Sequence, residues 1–509
     1  MSYSAALIWL AGHELRLGWR DWVSLMTAGR RTRMRTAVVA LIAFAAVMHL
    51  IAYSIVARYA NTGVFPDKAT LVAVTGTMLL SWSLLLSQAM ESVTRAFYTR
   101  SDLDLILTSP FSARKVFAVR MARIAASVTA IAMLLASPFI NVLAVFGGIR
   151  WLAAYGVVAA MGALAAAFAV ALTIALFRTI GARRTRLIAQ IVAAVIGAAF
   201  VIGLQICAIV SFGTLSRFAP LQSEWLIAHA PEAGNALWWP ARAALGDALA
   251  LAFVAGMSLA MLCASILIFA GSFGEHALAA AGVSSTVVRQ RRWSRGFRRG
   301  TPQRALRRKE WTLLLRDPWL MSQSLMQVLY LLPPALMLWR GFREGIGASV
   351  VLVPVLVMAA GQLAGGLAWL SISGEDAPDL VSTAPVASRR IIGAKIEAVA
   401  GAIVLIFAPL IVALGFIASA AALVAATGVL TATAAATLIQ LCFKVQARRS
   451  HFRRRQTSSR IATFAEAFSS ISWAGTAALV AAGTWLAIFP AVIALGILAG
   501  VWTIRPRQP

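Results

Sequence analysis

The chain has 509 residues, 60% of them hydrophobic and only 13% charged, yet 46 Lys and Arg against 18 Asp and Glu leave a formal net charge of +28. With a mean hydropathy of +0.82, that balance excludes a soluble enzyme, whose chain has about 25% charged residues, a disordered chain and a secreted disulfide scaffold. Much of the surface must face lipid, and the excess charge must lie outside it, because charge at the bilayer centre is costly.

Residues 1–35 are rich in Arg and Trp and lack the short apolar core of a signal peptide. They read as a cytoplasmic or interfacial helix, most of it in 5–26. Apolar runs of about 20 residues then mark membrane-spanning helices. Six are expected in the first half, at 36–57, 69–90, 124–146, 151–177, 187–212 and 248–273. Six more are expected at 322–339, 349–372, 391–414, 417–443, 468–488 and 491–504. The narrowest divisions fall near Gly415 and Pro490. Between the halves lies a basic cytoplasmic linker with a second interfacial helix, 274–321, and the chain closes with a cytoplasmic tail, 505–509. The fold class is therefore an all-α polytopic membrane protein with both termini cytoplasmic.

Orientation follows from the basic residues, which concentrate on the cytoplasmic side. With the N-terminus inside, the outer segments hold seven basic and five acidic residues, a net +2. The other 39 basic and 13 acidic residues fall inside, a net +26. The Arg-rich run 289–309 then reads as a topology signal that also attracts anionic headgroups, and no nucleic-acid partner is expected.

The two halves repeat each other. Glu14, Arg20 and Asp21 before the first span recur as Glu310, Arg316 and Asp317 before the seventh, at an offset of 296. After the second span, Ser101, Asp104, Leu105, Thr108, Pro110, Arg114, Lys115 and Arg120 correspond at an offset of 275 to Asp376, Asp379, Leu380, Thr383, Pro385, Arg389, Arg390 and Lys395. Ser101 and Asp376 suit an N-cap, and the aspartates three residues on resemble a capping box. Pro110 and Pro385 stop the short helix. Each copy presents an apolar pair, Leu105 with Ile106 and Leu380 with Val381. Six spans per copy is an even number, so the expectation is twelve transmembrane helices in two parallel six-helix repeats.

At these residues the chain resembles permeases of the ATP-binding-cassette type-2 exporter family. Glu91, the stretch Leu103-Asp104-Leu105-Ile106-Leu107-Thr108-Ser109-Pro110-Phe111 and Arg114-Lys115 resemble that family's loop between spans 2 and 3. Glu375, with Asp379-Leu380-Val381-Ser382-Thr383-Ala384-Pro385-Val386 and Arg389-Arg390, resembles it again, less closely. The resemblance implies that loops 91–123 and 373–398 carry coupling helices that dock a separate ATPase. The docking residues would be Glu91, Ser101, Asp104, Leu105, Ile106, Thr108, Glu375, Asp376, Asp379, Leu380, Val381 and Thr383. It implies an exporter in the plasma membrane, the inner membrane in bacteria, with two units fused in one chain and no need for a second permease chain. The first copy departs from the family pattern at Thr94 and Arg95, and the second at Pro378.

The chain contains no Gly-Lys dipeptide, so it lacks a phosphate-binding loop of the GxxxxGK[ST] type. ATP with Mg would then be bound by the partner, and no cofactor is expected here. No catalytic or metal site is expected either: Leu17 breaks HExxH after His13-Glu14, and Cys207, Cys263 and Cys442 read as packing residues. Two rival readings exist. An ion-coupled secondary transporter needs ionisable groups at membrane depth, for which the sequence offers His49, with Glu91, Glu397 and Glu466 near span ends. A membrane enzyme would use the outer segment 211–247, where Glu224, His229 and Glu232 could supply a carboxylate–imidazole pair.

Overall fold

The computed structural model describes residues 9–20, 34–60, 63, 66–98, 112–212, 219–271, 273, 275, 301–316, 325, 329, 331–333, 336, 349–373, 383, 385–443 and 460–504. Every regular element among them is helical. In chain order the α-helices are α1 (residues 9–20), α2 (Met34–Val56), α3 (Lys68–Tyr98), α4 (Ala113–Gly147), α5 (Ala153–Phe212), α6 (Glu224–His229), α7 (Trp239–Ala244) and α8 (Ala248–Phe269). They continue with α9 (Pro302–Arg316), α10 (Ser349–Ser373), α11 (Ser388–Ile417), α12 (Ser419–Cys442), α13 (Arg460–Ala481) and α14 (Ile488–Ile504).

Nine stretches of helix among the described residues are long and apolar enough to cross a membrane. Two further expected spans, the first and the eleventh, are covered by α2 and α13, of 23 and 22 residues. Glu466, Ser469 and Ser470 hold down the hydropathy of α13. The expected span at 322–339 lies largely outside the described residues. The chain divides into two compact units, one of Met1–Leu204 with Arg217–Arg291 and the other of Gln205–Ser216 with Arg292–Pro509.

Local chemistry sets the breaks between helices. The expected spans 151–177 and 187–212 fall on two separate membrane-length stretches, Ile149–Ala182 and Arg184–Phe212, which meet at a break in α5 where Gly181 has the non-helical φ 74° and ψ 162°. A side chain there would be strained, so glycine permits the sharp break between the two stretches. The division expected at Gly415 falls at Ala418, whose extended backbone (φ −150°) separates α11 from α12. The one near Pro490 is shifted upstream. Gly483, at φ +69°, donates to Val480 O at 3.0 Å, and Thr484 N donates to Leu479 O at 2.9 Å. These two bonds form a Schellman ending to α13. Pro490 instead lies in the first turn of α14, where its missing N–H costs nothing.

In the first unit the core joins α1, α3, α4 and α5, with Leu10, Met90, Phe97, Phe117, Met121 and Phe273 among its buried side chains. In the second, α10, α11, α12 and α13 pack through Val353, Leu356, Val357, Phe407 and a series of alanines. Small residues let helix backbones approach closely where lipid offers no hydrophobic drive between helices. Outward faces carry large apolar side chains, as on α14, where Phe489 and Val492 are each 60% exposed. In an ordinary soluble protein such a patch would be a liability; in this chain it is the lipid-facing surface.

Candidate functional site

Each unit holds an amphipathic helix against its core through a buried acid. In the first, Glu14 of α1 is buried and ion-paired to Arg123 of α4. In the second, Glu310 of α9 is fully buried and accepts from Lys395 Nζ of α11 at 3.0 and 3.2 Å. Lys309 Nζ approaches the same carboxylate at 3.3 Å. Glu14 and Glu310 are the repeated acids at offset 296, and their contacts explain why that residue recurs in a basic surrounding.

A second contact repeats at offset 275. Arg120 Nη1 reaches Ala96 O at 3.5 Å in the first unit, and Lys395 Nζ donates to Ser371 O in the second. Arg120 corresponds to Lys395 and Ala96 to Ser371, so one basic side chain caps the end of the preceding helix at matching positions. A cation suits carbonyls in the last turn of a helix, where the negative end of the helix dipole lies. Arg123, the partner of Glu14, lies one turn beyond Arg120. The first unit therefore divides between two arginines what Lys395 does alone.

These contacts bracket the two loops expected to dock a partner. Around the first, Phe97 at the end of α3 meets Phe117 of α4 at 6.4 Å, Phe177 at 5.0 Å and Phe273 at 5.2 Å between ring centroids. Tyr98 stacks on Phe177 and donates to Ala182 O at 2.5 Å. The offset places Ile372 and Ile392 opposite Phe97 and Phe117, so the aromatic cluster belongs to the first copy alone. Of the expected docking residues, Glu91 lies on α3 and is ion-paired to Arg95 one turn on. That pair is exposed and of the kind worth about 0–1 kcal/mol. Thr383 is exposed. Ser101, Asp104, Leu105, Ile106, Thr108, Glu375, Asp376, Asp379, Leu380 and Val381 lie outside the described residues.

Glu224, His229 and Glu232, the residues the enzyme reading names, do not form an acid–base pair with one another. His229 stacks on Trp225 and its Nδ1 bonds Trp225 O at 2.8 Å. Glu232 instead pairs with Lys68 at 2.8 Å, and Trp238 Nε1 donates to Pro231 O and Glu232 O. Trp238 packs on Leu71 and Val72 of α3, so this segment is a folded cover on the end of that helix. Asp247 caps α8: its Oδ1 accepts from Leu249 N and Ala250 N, both at 3.1 Å, and its Oδ2 from Arg242 at 2.7 Å. The Ala250 amide first, and Arg242 after it, hold this carboxyl below the usual aspartate range.

Asp247→Ala is expected to cost about 0.5–2 kcal/mol, the usual range for an N-cap. The stabilisation from a carboxylate of lowered pKa is complete above the unfolded-state value of about 3.9 and disappears as pH falls through the folded-state value. Thermal melts of wild type and variant should therefore differ at neutral pH and converge in strong acid.

Glu466, expected near a span end, lies seven residues into α13 and belongs to a polar seam. Thr433, Thr437 and Gln440 on α12, and Ser469 and Ser470 on α13, are buried. Gln440 Nε2 donates to Glu466 Oε2 at 2.5 Å. On α10, Gly365 is backed by the Glu466 carboxyl and Gly361 by the Ser470 hydroxyl, at distances that leave no room for a Cβ. The spacing of Glu466, Ser469, Ser470 and Trp473 on one helical face was legible, as was Gly361-x-x-x-Gly365. That the two face each other was not. In the first unit, His49 Nε2 lies 3.3 Å from Asn141 Nδ2, and Tyr155 donates to Asn141 Oδ1 at 2.8 Å.

Among the described residues, no group of His, Cys, Asp and Glu could hold a metal ion. Fold and site together define a polytopic α-helical membrane protein. Comparison of the chain with protein-family models, with curated proteins and with solved structures gives no significant match.

Proposed function

We propose that the chain is the membrane-spanning permease of an ATP-binding-cassette transporter, an exporter driven by separate ATPase subunits. In this reading twelve spans form two parallel six-helix units with both termini in the cytoplasm of a plasma membrane, the inner membrane in bacteria. The observation that carries it is the repeated clamp. Glu14 with Arg123, Arg120 with Ala96 O, and Glu310 with Lys395 fix the basic starts of α4 and α11 at the edge of each loop. A docking loop must transmit force rather than absorb it, and such anchors supply rigid ends.

The ATPase subunits engage the helices at 101–108 and 376–383 and bind ATP with Mg. Their closure pushes on both loops and rocks each unit. The spans carry few charged groups, so the cargo is an amphiphile or a hydrophobic solute rather than an ion. Purification of the full chain from its own membranes is expected to recover an ATP-binding-cassette ATPase that hydrolyses MgATP. Transport that persists without ATP and follows a proton or sodium gradient would overturn the proposal.

A further inference from the structure

Among the described residues, the polar seam of the second unit has one acid and no cation. Helix α13 packs against α10, α12, α14 and the short turn Trp485–Ala487, and Glu466 itself touches Gly365 of α10 and Gln440 of α12. Helix α10 carries no titratable side chain, and neither does α14 or that turn; α12 carries Cys442 alone, and α13 itself adds only Arg460. Arg460 begins α13, six residues before Glu466, about 9 Å along the axis. The partner the carboxyl does have is an amide, Gln440 Nε2, which a neutral acid satisfies as well as a charged one. Its other side lies against the Gly365 backbone, whose N–H is already used within the helix.

A second set of observations concerns the same seam. Ser469 and Ser470 are each 1% exposed, and their hydroxyls make no hydrogen bond. The Thr433 hydroxyl and the Trp473 indole N–H make none either. Serine and threonine in a helix ordinarily bond a carbonyl one turn back, as Thr437 does to Thr433 O at 2.7 Å. Four unmet polar groups beside one uncompensated acid are costly in a closed, apolar packing. They become favourable if the seam takes up water in another state of the transporter.

We propose that Glu466 is a proton-binding site: its carboxyl is protonated while α13 packs on α10, and loss of that proton opens the seam to water. The step is an acid dissociation. The O–H bond of the acid breaks, the electron pair stays on the carboxylate, and water takes the proton. Water entering along Thr433, Ser469 and Ser470 then supplies the hydrogen bonds these hydroxyls lack. The site is independent of the ATPase and stands whether or not ATP drives transport.

The test is infrared difference spectroscopy on the full chain in lipid discs, from mildly acidic to mildly alkaline pH. Wild type should show the carbonyl stretch of a protonated carboxylic acid that disappears as pH rises, and Glu466→Gln should lack that change. Glutamine copies the neutral acid in size, so this variant retains the packing. Identical pH difference spectra in the two proteins would overturn the proposal. Opening is read separately by Ser470→Cys labelling with a water-soluble maleimide, in chains whose Cys207, Cys263 and Cys442 are replaced by alanine. Corrected for a free thiol at each pH, labelling should rise with pH by up to roughly tenfold per unit, the limit for one proton. With Glu466→Gln added it should track the free thiol. Tracking in both backgrounds would show that the seam stays shut and would refute the opening step.

Discussion

Lys395→Met is expected to destabilise the second unit by about 3–5 kcal/mol, the cost of leaving a buried charge without its partner. Glu310 is fully buried, and Lys395 supplies two of its contacts as well as the bond to Ser371 O. Lys309 remains at 3.3 Å, but it is one residue away on the same helix and does not link α9 to α11. The variant therefore loses the clamp between two helices and leaves the acid buried against them. Replacing both partners, Glu310→Leu with Lys395→Met, removes the buried charge along with its counterion and should restore most of the loss. A double-mutant cycle on the midpoint of thermal aggregation measures the difference. Arg123→Met should cost less, because Arg123 is 34% exposed and water can replace part of the pair. Equal effects at Lys395 and Arg123 would contradict the view that burial sets the strength of each clamp.

Phe97→Ala is the second large effect, expected at about 3–5 kcal/mol for a buried phenyl ring. Phe97 is 1% exposed and contacts three other rings, so its removal leaves a cavity lined by Phe117, Phe177 and Phe273. These residues come from α3, α4, α5 and the stretch just after α8, and such a cavity cannot close by moving one helix. Phe97→Leu fills much of the space and should lose well under half as much. The comparison in the second unit is Ile372→Ala, where the offset places an aliphatic residue in place of the ring, and the loss should be smaller. Both variants can be read by the same aggregation assay on detergent-purified protein.

Much of the helical architecture was legible in apolar runs, because a membrane helix must be long and almost free of charge. Breaks between runs were legible only where composition changes. Gly181 breaks α5 into two stretches with no loop between them, while Gly483 ends α13 seven residues before the proline that marked the boundary in sequence. The Gly-Thr pair at 483–484 was the available signal for that ending. The repeated Glu14 and Glu310 could be seen, but not their partners, which lie 109 and 85 residues further along the chain. Glu466 was harder still. Its setting is made by α10, α12 and α13, three helices whose facing sides no linear pattern specifies.

The proposal that two loops of this chain receive an ATPase is tested by the amount of ATP-binding-cassette ATPase that co-purifies with wild type and with Leu105→Arg plus Leu380→Arg. Wild type should hold the ATPase stably and the double variant should lose it, with both proteins inserted and equally stable. A wild-type protein that never binds an ATPase, or a variant that binds it equally well, would refute ATPase docking at these loops.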